Sequence, residues 1–369
     1  MRALRRDRGY LACSRRTARR PQRCLWLFSA LFVAVSTAAY FLFPPPSLDR
    51  SRSVSTLVLA ADGLILRGFL STDGKWRLPV EPNQVDPLYI RMLVAAEDAR
   101  FAWHPGVDPI AVLRAAGQYA ANGRAVSGAS TLTMQVARLL NRHPRSLAAK
   151  AGEMAAALTL ERRLSKDQVL ALYLSLAPFG GNIEGVRAAS LAYFGKEPMR
   201  LSAAECALLV AIPRSPERLR PDRRPEAARA ARDRVLVRMA QVGVISPLAW
   251  AEAREEEVPH SRLAMPFRAP HLAEMLRHAD PSAVVHRTTI EPLQQQKIEA
   301  LLKRELAGFE PEARLAAVVV DNRSRRAIAY VGNADFASVA RWGPSIWLAR
   351  SDLRDRRSNH SSMRWRSTS

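Results

Sequence analysis

Three short stretches hold residue types able to do chemistry at useful spacing. The first is Glu97-Asp98-Ala99-Arg100-Phe101-Ala102-Trp103-His104-Pro105-Gly106, where two adjacent carboxylates follow the apolar run Met92–Ala96. A carboxylate leaving the end of an apolar helix is partly desolvated, which moves its pKa toward a value useful to a general base. The alternative is a solvated acid pair at a helix C-terminus, an end where negative charge is unfavourable. The second is Gly128-Ala129-Ser130-Thr131-Leu132-Thr133-Met134-Gln135, whose small and hydroxyl residues offer N–H and O–H donors to a phosphate or a sugar. The plainer reading is an N-cap loop opening a helix Leu132–Leu140, and this feature alone favours it. In the third, running from Arg145 to Glu153, Lys150 and Glu153 stand one turn apart and off the apolar stripe Leu147, Ala151, Met154 and Leu158. Such a pair is ordinarily surface support, and the pattern alone favours that. Lining a cleft, the pair would instead hold a diphosphate and its metal ion. His104 reads as a brace for its loop rather than a base. The seven histidines have no metalloprotease-type spacing. Cys206, in an apolar helix, reads as a buried small hydrophobe.

The elements that must position these groups are mainly helical. Ser55–Leu59 and Leu64–Leu70 read as two strands around the turn signal Ala61-Asp62-Gly63, and Ser71–Gly74 as another turn. From Asp86 to about Ala253 the apolar period is helical. Capping boxes open helices at Ser165–Gln168 and Ser202–Glu205, and Pro213 stops the second. Pro213–Pro225 reads as a loop, Pro259–Pro270 as a linker, and 288–306 as a short strand followed by a helix. Leu315–Val320 and Ala327–Val331 read as a hairpin around Asn322-Arg323-Ser324.

The 369 residues allow two domains with appendages, and 48% hydrophobic content implies a buried core. Three cysteines exclude a disulfide scaffold and a four-cysteine zinc site. The net charge of +22 sits largely at the ends: +8 in residues 1–24 and +5 in 341–369, leaving +9 for the middle. With no zinc-finger spacing and no aromatic RNA-binding pattern, a nucleic-acid partner is not expected. The uncharged run Leu25–Phe43 predicts one transmembrane helix of roughly 28 Å, ended by Pro44-Pro45-Pro46. The arginines before it place the N-terminus in the cytoplasm and the body outside. A cleaved signal peptide is the alternative.

In their order, these segments resemble the glycosyltransferase domain of class A penicillin-binding proteins, glycosyltransferase family 51, from about Asp86 to Ala253. The pattern E-D-x-x-F-x-x-H-x-G is met by Glu97, Asp98, Phe101, His104 and Gly106. G-x-S-T-x-T-x-Q is met by Gly128, Ser130, Thr131, Thr133 and Gln135, and K-x-x-E-x-x-x-A-x-x-L-E by Lys150, Glu153, Ala157, Leu160 and Glu161. Tyr173-Leu174, Gly180-Gly181, Gly185, Tyr193–Lys196 and Leu201–Glu205 leading to Ile212–Pro216 follow. Ala177–Gly181 and Leu219–Arg223 look most like the 1C branch. Ser175 departs from a usual Asn, and Arg138 from a common Lys whose charge it keeps. The resemblance implies a mainly α, lysozyme-like domain after the transmembrane helix, with short β segments flanking it. It implies polymerisation of the membrane-borne precursor lipid II into a β-1,4 glycan strand, with inversion and release of undecaprenyl pyrophosphate. Glu97 would be the base, and Glu153 would orient the donor phosphates through Mg²⁺ or another divalent cation. Asp98, Phe101, His104, Ser130, Thr131, Gln135, Arg138, Arg145 and Lys150 would bind substrate. The implied location is the bacterial inner membrane with the catalytic domain in the periplasm, and other cell-wall synthesis proteins are conceivable partners.

The expected organisation is a basic arm (1–24), an anchor (25–43), a β-hairpin region (47–85), the glycosyltransferase domain (86–255), a linker (256–314), the start of a transpeptidase domain (315–342) and an aberrant, disordered tail (343–369). That tail holds none of S-x-x-K, S-x-N or K-T-G in a matching context. A frameshift near residue 343 in a bifunctional parent would account for it, and the stub 315–342 would then be an unpaired hairpin. Two rivals stand beside this reading: a lytic, lysozyme-like enzyme that cleaves finished glycan, and a non-catalytic anchored remnant.

Overall fold

Thr131 starts the helix that the spacing predicts at Leu132–Leu140. Its hydroxyl accepts from the Met134 N–H at 3.1 Å, satisfying one of the donors a helix N-terminus leaves open. Both predicted capping boxes form likewise, at Ser165/Gln168 and Ser202/Glu205. The computed structural model describes residues 45–122, 130–141, 146–310 and 312–336. Along the described residues the helices are α1 (Asp49–Arg52), α2 (Pro87–Glu97), α3 (Pro109–Asn122), α4 (Leu132–Leu140), α5 (Leu147–Leu160), α6 (Lys166–Leu176), α7 (Val186–Phe194), α8 (Ala203–Ala211), α9 (Pro225–Gln241), α10 (Pro247–Glu255), α11 (Pro270–Ala279) and α12 (Pro292–Leu306). The strands are β1 (Leu57–Leu59), β2 (Ile65–Gly68), β3 (Trp76–Arg77), β4 (Ile183–Glu184), β5 (Val285–Arg287), β6 (Ala317–Asp321) and β7 (Arg326–Val331).

The chain divides into two units: residues up to Leu48 with Glu97–Leu170, and Asp49–Ala96 with Ala171 onward. In the first unit α4 packs on α5. The core there is Val107, Met134, Ala157 and Leu158, with Val112 and Met154 against it. Gly106 lets the loop before α3 press onto α5: its φ is +93°, and a Cβ there would lie 2.5 Å from the Ala157 carbonyl oxygen.

In the second unit the sheet order is β2-β1-β5, antiparallel on one side and parallel on the other. Val58, Leu66, Phe69, Leu272, Ala273 and Ile290 make its core. β3 and β4 form a two-residue parallel pair. Beside them Arg77, fully buried, donates to Glu184 (Nε–Oε2 3.0 Å) and to Asp73 (Nη2–Oδ2 2.8 Å), and Arg50 reaches Glu184 at 2.7 Å. Burial raises the Asp73 carboxyl, but the hydrogen bonds from Arg77 and Ser71 outweigh it and bring it down from 3.8 to about 2. Cys206 is fully buried and its thiol is pushed up by that burial, as a small core hydrophobe requires.

Several expectations are corrected. A mainly helical fold with short strands is present, but no described helix is long and apolar enough to cross a membrane. The longest, α9, has 17 residues and carries Glu226, Arg229, Arg232, Asp233, Arg234 and Arg238. The run Leu25–Phe43 lies outside the described residues, as does the tail from 337. The β segments do not only flank the helices: β4 lies among them, because Gly180 and Gly181, at φ +99° and +58°, turn the chain back after α6. The strand expected from residue 288 is β5, at 285–287, and pairs in parallel with β1. The hairpin β6–β7 is a two-stranded sheet that pairs with no further strand among the described residues, yet it docks on α12. Gln295 of α12 donates to the Tyr330 carbonyl (2.9 Å) and accepts from its N–H (2.8 Å), and Ala329 and Val331 are buried.

Candidate active site

The end of α2 separates its two carboxylates. Consecutive helical residues point about 100° apart, so Glu97 and Asp98 cannot face the same way. Asp98 turns inward, and its carboxylate takes the His104 Nε2 (3.0 and 3.1 Å) and the backbone N–H of Leu132 (3.0 Å). Both side chains are buried, so Asp98 and His104 tie the loop after α2 to the start of α4. Glu97 faces α4 instead and is half-buried; Gln135 donates Nε2–H to its Oε2 at 2.9 Å.

One helical turn further along α4, Arg138 brings its Nε to 4.0 Å from Glu153 Oε1. Lys150 approaches the other oxygen of Glu153 at 3.1 Å and donates to the Ser130 hydroxyl. Glu153 is buried with its side chain 7% exposed, so the Lys150–Glu153 pair is not the surface support that its spacing favours. Gln135 and Arg138 are three residues apart, a rise of about 4.5 Å. One face of α4 therefore meets both carboxylates.

Three further groups brace this arrangement. Thr131 donates to the Gly106 carbonyl at 2.5 Å, which ties the α4 cap to the loop before α3. Lys166 donates to the His104 carbonyl (2.6 Å) and to Glu161 (2.8 Å), and its ammonium lies 4.5 Å from the Phe101 ring centre. Glu161 also accepts from Thr133. Glu161 closes a pattern legible in the sequence, but the role of Lys166 carries no sequence signal, since it joins segments 62 residues apart. Asp108 accepts from Arg100 and from the N–H groups of Ile110 and Ala111, opening α3. Burial raises its carboxyl, but those donors prevail and hold it below the usual range.

Of the candidate site residues, Glu97 and Gln135 form one contact and Arg138, Glu153, Lys150 and Ser130 a second set, the two joined through α4, which carries both Gln135 and Arg138. Asp98, His104, Phe101 and Thr131 form the frame around it. Arg145 and Gly128 lie outside the described residues. Among the described residues no group of three or more His, Cys, Asp and Glu could hold a metal ion. The chemistry available is one carboxylate oriented by a neutral amide and a second set among cations.

Residues 63–240 match the Transglycosylase family. The chain is 44% identical to penicillin-binding protein 1C of Escherichia coli over 287 residues, covering 78% of this chain and 37% of that protein. It is 34% identical to penicillin-binding protein 1A of Pseudomonas aeruginosa, over 69% of this chain and 32% of the relative, and 36% identical to penicillin-binding protein 1A of E. coli, over 60% and 26%. The chain therefore spans about a third of the length of these relatives. The matched region contains Glu97, Gln135, Lys150 and Glu153 together, and on it the chain belongs to the class A penicillin-binding proteins, 1C branch, carrying their transglycosylase domain.

Proposed function

We propose that this chain is a peptidoglycan glycosyltransferase that joins lipid II units into β-1,4 glycan strands. The observation that carries the reading is α4, whose residues Gln135 and Arg138 each meet one of two carboxylates, Glu97 and Glu153. The acceptor's sugar 4-hydroxyl gives its proton to Glu97 as its oxygen forms a bond to the donor's anomeric carbon. The bond from that carbon to the lipid-linked diphosphate breaks with its electron pair going to the diphosphate. One displacement inverts the centre, as in glycosidases that use two separated carboxylates, with a sugar hydroxyl in place of water. Gln135 fixes the orientation of the Glu97 carboxylate. Lys150 and Arg138 offset the charge that gathers on the leaving diphosphate.

The residues present do not build a metal cage, because Glu153 is the lone carboxylate beside those two cations. A divalent ion such as Mg²⁺ would be held mainly by the diphosphate, with Glu153 as its protein ligand, and would supply charge neutralisation there. Reaction takes place where the membrane presents the lipid-linked precursor. A transpeptidase activity is not part of this proposal.

The test is polymerisation of lipid II by the detergent-solubilised chain, with Glu97→Gln as control. Growing glycan that the variant fails to make supports the proposal. Shortening of preformed glycan without growth would identify a lytic enzyme, and equal product from the variant would remove Glu97 from the chemistry.

A further inference from the structure

Two charges in the first unit sit at the wrong ends of their own helices. Glu161 caps the C-terminus of α5, and Lys166 is the first residue of α6. The helix dipole disfavours an anion at a C-terminus and a cation at an N-terminus, so both placements cost stability. The Glu161 side chain is also buried, which adds to the cost. Placements that break a local rule concentrate where function requires them. What the two charges hold accounts for these. The Lys166 ammonium lies 2.8 Å from each Glu161 carboxylate oxygen. It also donates to the His104 carbonyl at 2.6 Å, and the His104 ring holds Asp98, the neighbour of Glu97. Glu161 accepts from the hydroxyl of Thr133, the fully buried second residue of α4. The carboxylate thereby meets the positive end of α4, a compensation its own helix does not give.

The grip on α4 is at its back. With 3.6 residues per turn, Gln135 lies about 200° round the helix from Thr133 and Arg138 about 140°. The middle of the face that meets the two carboxylates is therefore about 170° from Thr133. The bonds at Thr131 and at the Leu132 N–H fix where α4 starts. The Thr133 bond, made by a side chain on the far face, fixes how the helix is turned about its axis. A turn of about 20° sweeps a tip at a radius of roughly 5–6 Å through about 2 Å, enough to part Gln135 from Glu97.

We propose that Lys166 and Glu161 are positioning residues of the transfer reaction. Through Thr133 and the His104 carbonyl, the pair sets the rotation of α4 against the loop after Glu97, and with it the Gln135–Glu97 hydrogen bond. This rests on the transferase reading given above. The pair acts through Gln135 and needs no contact with substrate. A misplacement of about 1 Å at a reacting group can cost about 10²-fold in rate, so the tie is expected to show in kcat rather than in KM.

The experiment is a double-variant cycle in lipid II polymerisation by the detergent-solubilised full chain, read as kcat and KM. Thr133→Val keeps the shape and loses the hydroxyl, and Thr133→Ser restores it. The glutamine pair, Lys166→Gln with Glu161→Gln, removes both charges at once, so that neither stays behind without its partner. Thr133→Val and the glutamine pair are each expected to lower kcat about tenfold with KM within about twofold, and Thr133→Ser to stay within about threefold of wild type. In a Gln135→Ala background the same changes should cost less than about twofold more, because the bond they position is already gone. Full kcat in either variant overturns the proposal. So do losses that multiply with that of Gln135→Ala, which mark a support for the fold at large. Should the glutamine pair fail to fold, Thr133→Val and its rescue by serine carry the test. Thermal unfolding of the same cycle gives a readout independent of catalysis. Gln135→Ala should lower the midpoint of wild type and leave that of Thr133→Val unmoved, and equal shifts in both overturn the proposal. A wild type that makes no glycan sinks the transferase reading instead, and the unfolding cycle still decides whether position 133 sets the bond at 135.

Discussion

Gln135 shows how much one side chain settles at this site. Its amide has a donor to give Glu97 and no charge of its own, so it orients the carboxylate without neutralising it. A hydrogen bond to a charged group is worth about 1.5–3 kcal/mol. If the bond matters mainly once the acceptor is bound, Gln135→Ala lowers kcat about 10- to 100-fold, with KM changing far less. Steady-state lipid II polymerisation measures both. Lys150→Met should cost more, about 10²–10³ in kcat, because it withdraws a donor from the point where charge develops. Calorimetric unfolding of that variant separates lost catalysis from lost fold. The residue types at positions 97, 135, 150 and 153 were legible in the sequence because their chemistry is a property of the side chain. The division of labour between Glu97 and Asp98 was not, since it depends on the residue at which α2 stops. The burial of Glu153 was not legible either, because a helical wheel shows which way a residue points but not what lies there.

At the scale of elements, the frame depends on a few buried polar ties. Asp98→Ala leaves the His104 ring nitrogen and the Leu132 N–H without their acceptor in a buried place. Each such group costs about 1–3 kcal/mol, so a loss of about 2–6 kcal/mol is expected, read as a lower midpoint in thermal unfolding. The second unit has its own tie at Arg77, and there pH is the lever. Asp73 has a folded pKa of about 2, below its ordinary 3.8. A carboxyl lowered by folding adds stability that is present in full above its unfolded value and lost as pH falls through its folded one. An acid titration followed by circular dichroism should therefore show an Asp73 contribution fading between about pH 4 and pH 2, and Asp73→Asn should remove that part of the slope. The helices of this framework were readable from period and caps. The Arg77–Glu184 tie was not, because it joins residues 107 apart through strands of only two residues, too short to display an alternation.

For the whole molecule, the contacts that build the candidate site lie within the first unit, and the last described hairpin belongs to the second. β6–β7 was legible as a hairpin from its alternating apolar runs and its turn, but its docking was not, since it depends on Gln295, which looks like an ordinary polar residue of α12. That side chain is fully buried and pairs with both backbone groups of Tyr330. Val318 and Val320 are 43% and 50% exposed, so little apolar burial reinforces β6. Gln295→Leu keeps the volume and strips both partners from Tyr330. A penalty of about 2 kcal/mol then raises the population of locally opened hairpin about 30-fold. Where opening and closing are fast against cleavage, limited proteolysis within 312–336 should accelerate by that factor. Lipid II polymerisation by the same variant should stay within about twofold, because Gln295 bonds to Glu299 and Tyr330 of its own unit and exposed-segment opening is local. Cleavage rates equal to wild type would mean that the hairpin is held by something other than the Gln295–Tyr330 pair.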